Sequence, residues 1–409
     1  REEANKARRV SELLTGVLTT ADPFRSPGEG ATSIPQMLAN AAERARREFI
    51  GEPDVRADVL GAVGRVHLRT GRYAEAQPVL EAALAAAVET GQRDARRALI
   101  LSDLGVLHRE VGQFTRAVPL LEESLAIRRQ LYPSGHNDVA ITLVELGRVY
   151  RALEQVERAE PLLREALEIR QRVLGEHRET ATSMSDVGLL WWFQGRAVEA
   201  EKMLTTCLAM TRRTLGDEHP NTAYAAANLA LPLADRGEYV RAEELLHEAI
   251  AVLQRAFGER HGRPARIQVQ LAGVWLAQGK AAEAATLLDE AMDVLRGRLG
   301  AIHGQTIVAV ITRARTHLAL NEPAAAAELL SRTLESQQRA GRPTTWRTGV
   351  MQSLLGEALL RHGRMQEAES LFVEAAAILP NVPGQRGVET TANEERLRTV
   401  RAHRSAAER

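Results

Sequence analysis

The 409-residue chain has one cysteine, Cys207, so it can form no intrachain disulfide and no paired-cysteine zinc site. Cys207 falls where other segments carry Ala83, Ala166, Ala249 and Ala291, which points to a small packing residue and not to a nucleophile. An excess of one charge is also lacking. The 53 basic and 53 acidic residues cancel, whereas a nucleic-acid binder normally shows a basic surplus or stripe. No apolar run reaches the ~18 residues of a membrane span. The sequence begins with Arg1 and has no secretory signal pattern, so a fragment or processed chain is expected.

Catalytic motifs are missing as well. The sequence contains no Gly-x-Gly-x-x-Gly, His-Arg-Asp, Asp-Phe-Gly, Walker-type loop or Gly-x-Ser-x-Gly. His247-Glu248 opens like a zinc-protease helix, but the fifth position is Ala251. No catalytic residue, metal ligand or cofactor site is expected in this chain.

What the chain does have is repetition every 41 or 42 residues, eight times over. A small residue recurs at Gly64, Gly105, Gly147, Gly188, Ala230, Ala272, Ala314 and Gly356. Twelve residues later each copy has alanine, from Ala76 to Ala368, and four further on a large apolar residue, from Leu80 to Phe372. Fixed spacing at such a period marks a helical solenoid. Each copy reads as a hairpin of two helices that approach closely where one side chain is nearly absent. Glycine ends most first helices, at Gly71, Gly112, Gly195, Gly237, Gly279 and Gly363. Glu154 and Asn321 stand there in the other two copies, and a looser turn is expected at Glu154.

Before the repeats, residues 1–52 form a lead-in: an amphipathic helix over 1–20, a linker from Phe24 to Ser33, then a helix to about Phe49 with a Ser33/Gln36 capping box. The repeats fill 53–379. Residues 380–409 are a linker, Pro380 to Gly387, and a polar helix over 388–407 suited to capping an open end. Arginine pairs at helix ends, Arg128-Arg129 and Arg212-Arg213, read as solvated charges favoured by the helix dipole.

These residues resemble tetratricopeptide repeats over about 53–379. The 42-residue period and loops such as Leu215-Gly216-Asp217-Glu218-His219-Pro220 are similar to the kinesin-light-chain subtype. The resemblance implies an all-α, right-handed superhelical solenoid. Residues Ala7 to Leu14, Ala21-Asp22-Pro23-Phe24 and the approach to Pro53 are similar to the segment joining kinase domain to repeats in bacterial serine/threonine protein kinases.

Five histidines, His136, His177, His219, His261 and His303, recur in the loop before a first helix. A full repeat apart, they suit a structural role in a helical turn and not one metal site. His67, His108 and His317 share a position with Tyr150, Trp191 and Trp275.

The resemblance further implies that first helices line a concave groove. Two residues before the small position stand Asp103, Glu145, Asp186, Asn228 and Gln270; beyond it lie Arg109, Arg148, Arg151 and Trp192. This lining suits a protein or peptide ligand, held by hydrogen bonds and ion pairs and anchored by Trp192. Self-association through the end helices is a further expectation. So is a cytoplasmic location, or an extracytoplasmic one if a membrane segment precedes Arg1. The expected role is an interaction scaffold, docking partners for a bacterial kinase; the alternatives are the arm of a nucleotide-binding signalling ATPase or transcriptional regulator, or a stand-alone adaptor.

Overall fold

The computed structural model describes residues 34–342, 344–379 and 385–407; the expected 1–20 helix, the Phe24–Ser33 linker and residues 380–384 lie outside them. Every element among the described residues is a helix. The chain falls into two compact units, residues 1–175 and 176–409.

In the first unit α1 (Ile34–Glu48) precedes three hairpins. These are α2 (Pro53–Arg69) with α3 (Tyr73–Glu89), α4 (Ala95–Glu110) with α5 (Phe114–Leu131), and α6 (Asn137–Ala152) with α7 (Val156–Leu174). The second unit has five: α8 (Arg178–Phe193) with α9 (Ala197–Leu215), α10 (Pro220–Asp235) with α11 (Tyr239–Phe257), α12 (Gly262–Ala277) with α13 (Ala281–Leu299), α14 (Gly304–Ala319) with α15 (Pro323–Arg339), and α16 (Trp346–Arg361) with α17 (Met365–Ile378). A last helix, α18 (Gln385–Ala407), starts three residues earlier than the 388 expected from sequence.

The small-to-large spacing works as steric logic dictates. A Cβ placed on Gly105 would lie 2.5 Å from Leu121 Cγ, and one on Gly147 or Gly188 would lie 2.7 Å from Leu163 or Leu204. The partner leucine therefore occupies the space a side chain would need, and Ala117, Ala159 and Ala200 beside it are fully buried.

Each first helix stops in the same way. At the second hairpin the Gly112 N–H donates to Arg109 O and the Gln113 N–H to His108 O, over 3.1 and 2.7 Å. Glu154 repeats the pattern at 3.1 and 2.8 Å, with φ of 65°. The looser turn expected at Glu154 is thus not found: the same bonds form, and a non-glycine residue is held in the left-handed region to make them. Asn321 does likewise at 59°.

The five loop histidines are N-caps. Their Nδ1 atoms accept the backbone N–H two residues on: Asp138 from His136 at 3.2 Å, Glu179 from His177 at 3.3 Å, Asn221 from His219 at 3.0 Å, Arg263 from His261 at 3.2 Å and Gln305 from His303 at 3.3 Å. A protonated Nδ1 cannot accept, so protonation of His261 removes its cap. Burial lowers the His261 pKa, assisted by Arg298 and Arg263. The folded state then binds this proton less tightly than the unfolded chain. Its contribution is complete above the unfolded value of about 6.5 and is lost as pH falls from there through the lower folded value. Thermal melts should show Tm declining from pH 7.5 to 5.5, and His261→Asn, which caps without titrating, should flatten part of that decline.

Within each unit the first helices of successive hairpins touch one another, α2 with α4, α4 with α6, and α8 through α10, α12 and α14 to α16. Helices on the inside of a curved stack approach most closely, so the first helices form the inner face of each unit. In the second unit the curvature brings the ends together. Phe193, last in α8, meets Trp346, first in α16, edge to face at 5.9 Å between ring centroids. The final helix α18 packs on α17 and α16 and also reaches α8. It is held there by Asn393, whose Nδ2 donates to Phe372 O at 2.9 Å, and by the fully buried Val400.

Candidate functional site

In the first unit the inner polar residues are spent on one another. Arg65 Nε donates to Asp103 Oδ2 at 2.8 Å. Glu145 takes both Arg109 Nε and Arg148 Nη1 at 2.9 Å, and Arg109 also reaches Glu110. Each pair joins one hairpin to the next or one turn to another. Burial pushes the Asp103 carboxyl above its usual range, against the pull of Arg65. Arg151 stands half-buried near the C-terminal end of α6. The structure therefore brings Asp103, Arg109, Glu145 and Arg148 together as an ion-pair ladder that ties hairpins to hairpins.

The second unit is different. Asp186 is 5% exposed. Asn228 Nδ2 donates to Ser185 Oγ at 3.2 Å. Gln270, at the equivalent position one hairpin on, has a buried Oε1 with no hydrogen-bond partner among the described residues. Trp192 is half-buried, its Nε1 donating to Asp235 Oδ2 at 2.6 Å, so the ring is fixed in orientation. Four residues before Asn228 and Gln270 stand Tyr224 and Arg266, which sequence reasoning missed. The signal was present in the spacing, since residues four apart share a helix face. Arg266 sits with its guanidinium 4.9 Å from the Tyr224 ring centre.

The far part of this inner face is already covered by the chain itself. Arg315 pairs with Glu389 of α18, and Glu357 with Arg396 at 2.7 Å. Arg396 also donates to Ser353 Oγ at 2.9 Å.

Of the arginine pairs at helix ends, Arg129, Arg212 and Arg213 stay solvated while pairing with carboxylates, and only Arg128 departs from the expectation. Arg128 is 3% exposed and donates to Asp138 O and Thr142 Oγ1 at 2.5 and 2.8 Å. Arg129 reaches Glu165, Arg212 reaches Glu248 and Arg213 reaches Glu176, at 2.6 to 2.9 Å. Arg129 and Arg212 thus link the second helices of neighbouring hairpins, Arg128 ties α5 to α6, and Arg213 ties α9 to the loop before α8.

The position shared by histidine and aromatic residues carries a polar tip in each case. His108 Nδ1 lies 2.9 Å from Gln113 Oε1 and His317 Nδ1 2.7 Å from Glu322. Trp275 Nε1 donates to Glu243 at 2.8 Å, and Tyr150 to Glu122 at 2.6 Å. Burial and the Glu122 carboxylate push the Tyr150 pKa up to about 12. A hollow of about 510 Å³ between α5 and α7 is lined by Glu122, Arg129, Tyr150 and Arg158; it lies beside the second helices and away from the inner ladder. Among the described residues no three His, Cys, Asp or Glu side chains converge as a metal site, and no helix is long and apolar enough to cross a membrane.

Comparison with known proteins agrees with this architecture. The family model described as Tetratricopeptide repeat matches residues 37–130, 138–210, 188–255 and 226–296, and a second model of that description matches 311–384. No curated protein sequence matches the chain. Among solved structures, the apo quorum sensor NprR of B. thuringiensis is 12% identical, with 93% of this chain and 100% of that one aligned at a TM-score of 0.61. A Rap protein complexed with competence and sporulation factor is 13% identical, with 99% of both chains aligned at 0.60. Kinesin-light-chain TPR-like repeats from Podospora anserina are 26% identical over 49% of this chain and 96% of that one, at a TM-score of 0.40. At such identities the first two likenesses speak for the fold. The repeated hairpins and the family models, which together span most of the sequence, establish that this chain belongs to the tetratricopeptide-repeat proteins.

Proposed function

We propose that the chain is a protein-interaction scaffold whose working surface is the inner face of the second unit, where it recognises an extended peptide or peptide-like segment of a partner. One observation carries this. The first unit's ladder is closed by its own ion pairs, whereas the second unit keeps a buried Gln270 Oε1 unpaired among the described residues and a fixed, half-exposed Trp192 on the equivalent face. An unpaired buried amide costs stability unless a ligand completes it, and a rigid aromatic is a good anchor. Asn228 and Gln270 offer amide donors and acceptors to a peptide backbone.

Trp192→Ala combined with Asn228→Ala should weaken partner binding by about tenfold or more without unfolding, since loss of one anchor is worth ~2 kcal/mol. Calorimetric titration with the partner and a thermal melt together check this; unchanged affinity would move the site elsewhere.

The resemblance of the segment from Ala7 to Phe24 supports reading this arm as the docking region of a bacterial serine/threonine kinase, where holding a substrate nearby raises its effective concentration. Sequencing the reading frame upstream of Arg1 tests that placement. Glycine-rich-loop, His-Arg-Asp and Asp-Phe-Gly motifs would support it; a Walker loop would assign the arm to a signalling ATPase instead.

A further inference from the structure

On the inner face of the second unit, Tyr224, Arg266 and Gln270 stand out because no hydrogen bond or ion pair among the described residues uses their polar groups. Arg266 makes no hydrogen bond or ion pair among the described residues; its one contact of note is with the Tyr224 ring. No hydrogen bond engages the Tyr224 hydroxyl or the Gln270 amide among the described residues either, and Gln270 Oε1 is buried. Arg263, one turn before Arg266, has no carboxylate partner among the described residues; its guanidinium stacks over Phe257 at 4.3 Å.

This is unusual here. Elsewhere on the inner faces Arg65, Arg109, Arg148 and Arg315 are each matched to a carboxylate of this chain. Arg266 and Arg263 are also in an unfavourable place. Both lie in the first turns of α12, where the helix dipole opposes positive charge and no acidic residue compensates. Protein surrounds Arg266 on most sides, yet part of its surface stays open to solvent within the curve of the unit. That desolvation, with Arg263 acting in the same direction, lowers its pKa. Two cations without a carboxylate among the described residues, a phenol and an amide share one concave surface, whereas Arg65, Arg109, Arg148 and Arg315 show how the inner faces neutralise such cations.

We propose that Arg266, with Arg263, Tyr224 and Gln270, forms an oxyanion site that takes a phosphoryl group carried by the bound peptide. Two positive charges match a phosphate monoester dianion better than a single carboxylate. The arginine fork and the tyrosine hydroxyl donate to its oxygens, and Asn228 and Gln270 address the adjoining peptide backbone. The site rests on the peptide-binding reading given above and names the chemistry of its ligand.

The probes are three immobilised degenerate peptide libraries that differ only at the central residue: phosphoserine, serine or glutamate. The whole chain should retain the phosphoserine library at least about tenfold better than the other two, and Arg266→Gln should abolish that preference. Equal retention of phosphoserine and glutamate would overturn the phosphoryl assignment, and so would a preference that survives Arg266→Gln. Stability supplies a second readout. A structural arginine lowers Tm when removed; an unpaired one held for a ligand should leave it unchanged or higher, and a lower Tm for Arg266→Gln would count against the site. Arg260→Gln, a neighbouring exposed arginine, is the control and should change neither result. If unphosphorylated partner still binds and still needs Trp192 and Asn228, only the oxyanion site fails; if that binding is also absent, the peptide-binding reading fails with it.

Discussion

Phe372→Ala is expected to destabilise the second unit by about 3–5 kcal/mol, the range for truncating a buried phenylalanine. Phe372 is fully buried and is the largest such side chain among the described residues. Its ring lies on Gly356 where the seven other hairpins set leucine on a small residue. A Cβ added at Gly356 would fall 2.6 Å from Cε1 and 2.9 Å from Cδ1 of that ring. Unlike a leucine, the ring cannot yield by rotating one methyl, so Gly356→Ala should cost about 1–3 kcal/mol by overpacking. Combining Gly356→Ala with Phe372→Leu recreates the Ala–Leu pairing of Ala230/Leu246, Ala272/Leu288 and Ala314/Leu330. Urea denaturation of the four proteins should therefore give a double variant more stable than the sum of the single losses, with a coupling of about 1 kcal/mol. Additivity within about 0.5 kcal/mol would mean that this contact does not govern the hairpin.

The second large effect concerns Cys207, whose thiol should be almost inert until the protein unfolds. Its side chain is fully buried, with Sγ donating to Ala181 O at 3.1 Å and lying 3.5 Å from Ser185 Oγ. Burial pushes its pKa up to about 11, from 9.0. Two units mean about 100-fold less thiolate at neutral pH, and only thiolate alkylates. Iodoacetamide at pH 8 should modify the native protein at least about 100-fold more slowly than the urea-unfolded chain, by mass spectrometry. The native rate should rise about tenfold per pH unit until the pKa is reached. Because the unfolded thiol ionises first, pH above about 9 also draws the equilibrium towards unfolding. Fast native labelling would reveal local opening of α8 from α9.

The hairpins were legible because their causes are local. The spacing of Gly64, Ala76 and Leu80 states that two helices must meet at one crossing, and the glycine at Gly112 or Gly237 states where a helix must stop. The histidine caps were legible as recurrent turn residues, though not as acceptors through Nδ1. What escaped was whatever depends on distance between hairpins. Arg109 and Glu145, Arg129 and Glu165, and Arg212 and Glu248 are each 36 residues apart, one repeat less about a turn and a half. That recurring offset carried the information, but only a known packing of neighbouring hairpins gives it meaning. Without it the first-unit residues Asp103, Glu145, Arg109 and Arg148 looked open to a partner when they are closed on each other. The four-residue spacing from Asn228 and Gln270 places Tyr224 and Arg266 on the same face, but nothing in a sequence marks an arginine that lacks a partner.

The meeting of Phe193 with Trp346, together with the reach of α18 to α8, alters how the second unit should come apart. An open stack of repeats is a one-dimensional chain of nearest neighbours, free to fray from either terminus at the cost of a single interface. Joining the first hairpin to the last removes both free ends at once. Fraying at either one then also breaks the closing contact, and every hairpin loses on two sides when it leaves. The five hairpins are thereby made to melt as one body, a cooperativity that their repeating sequence does not by itself confer.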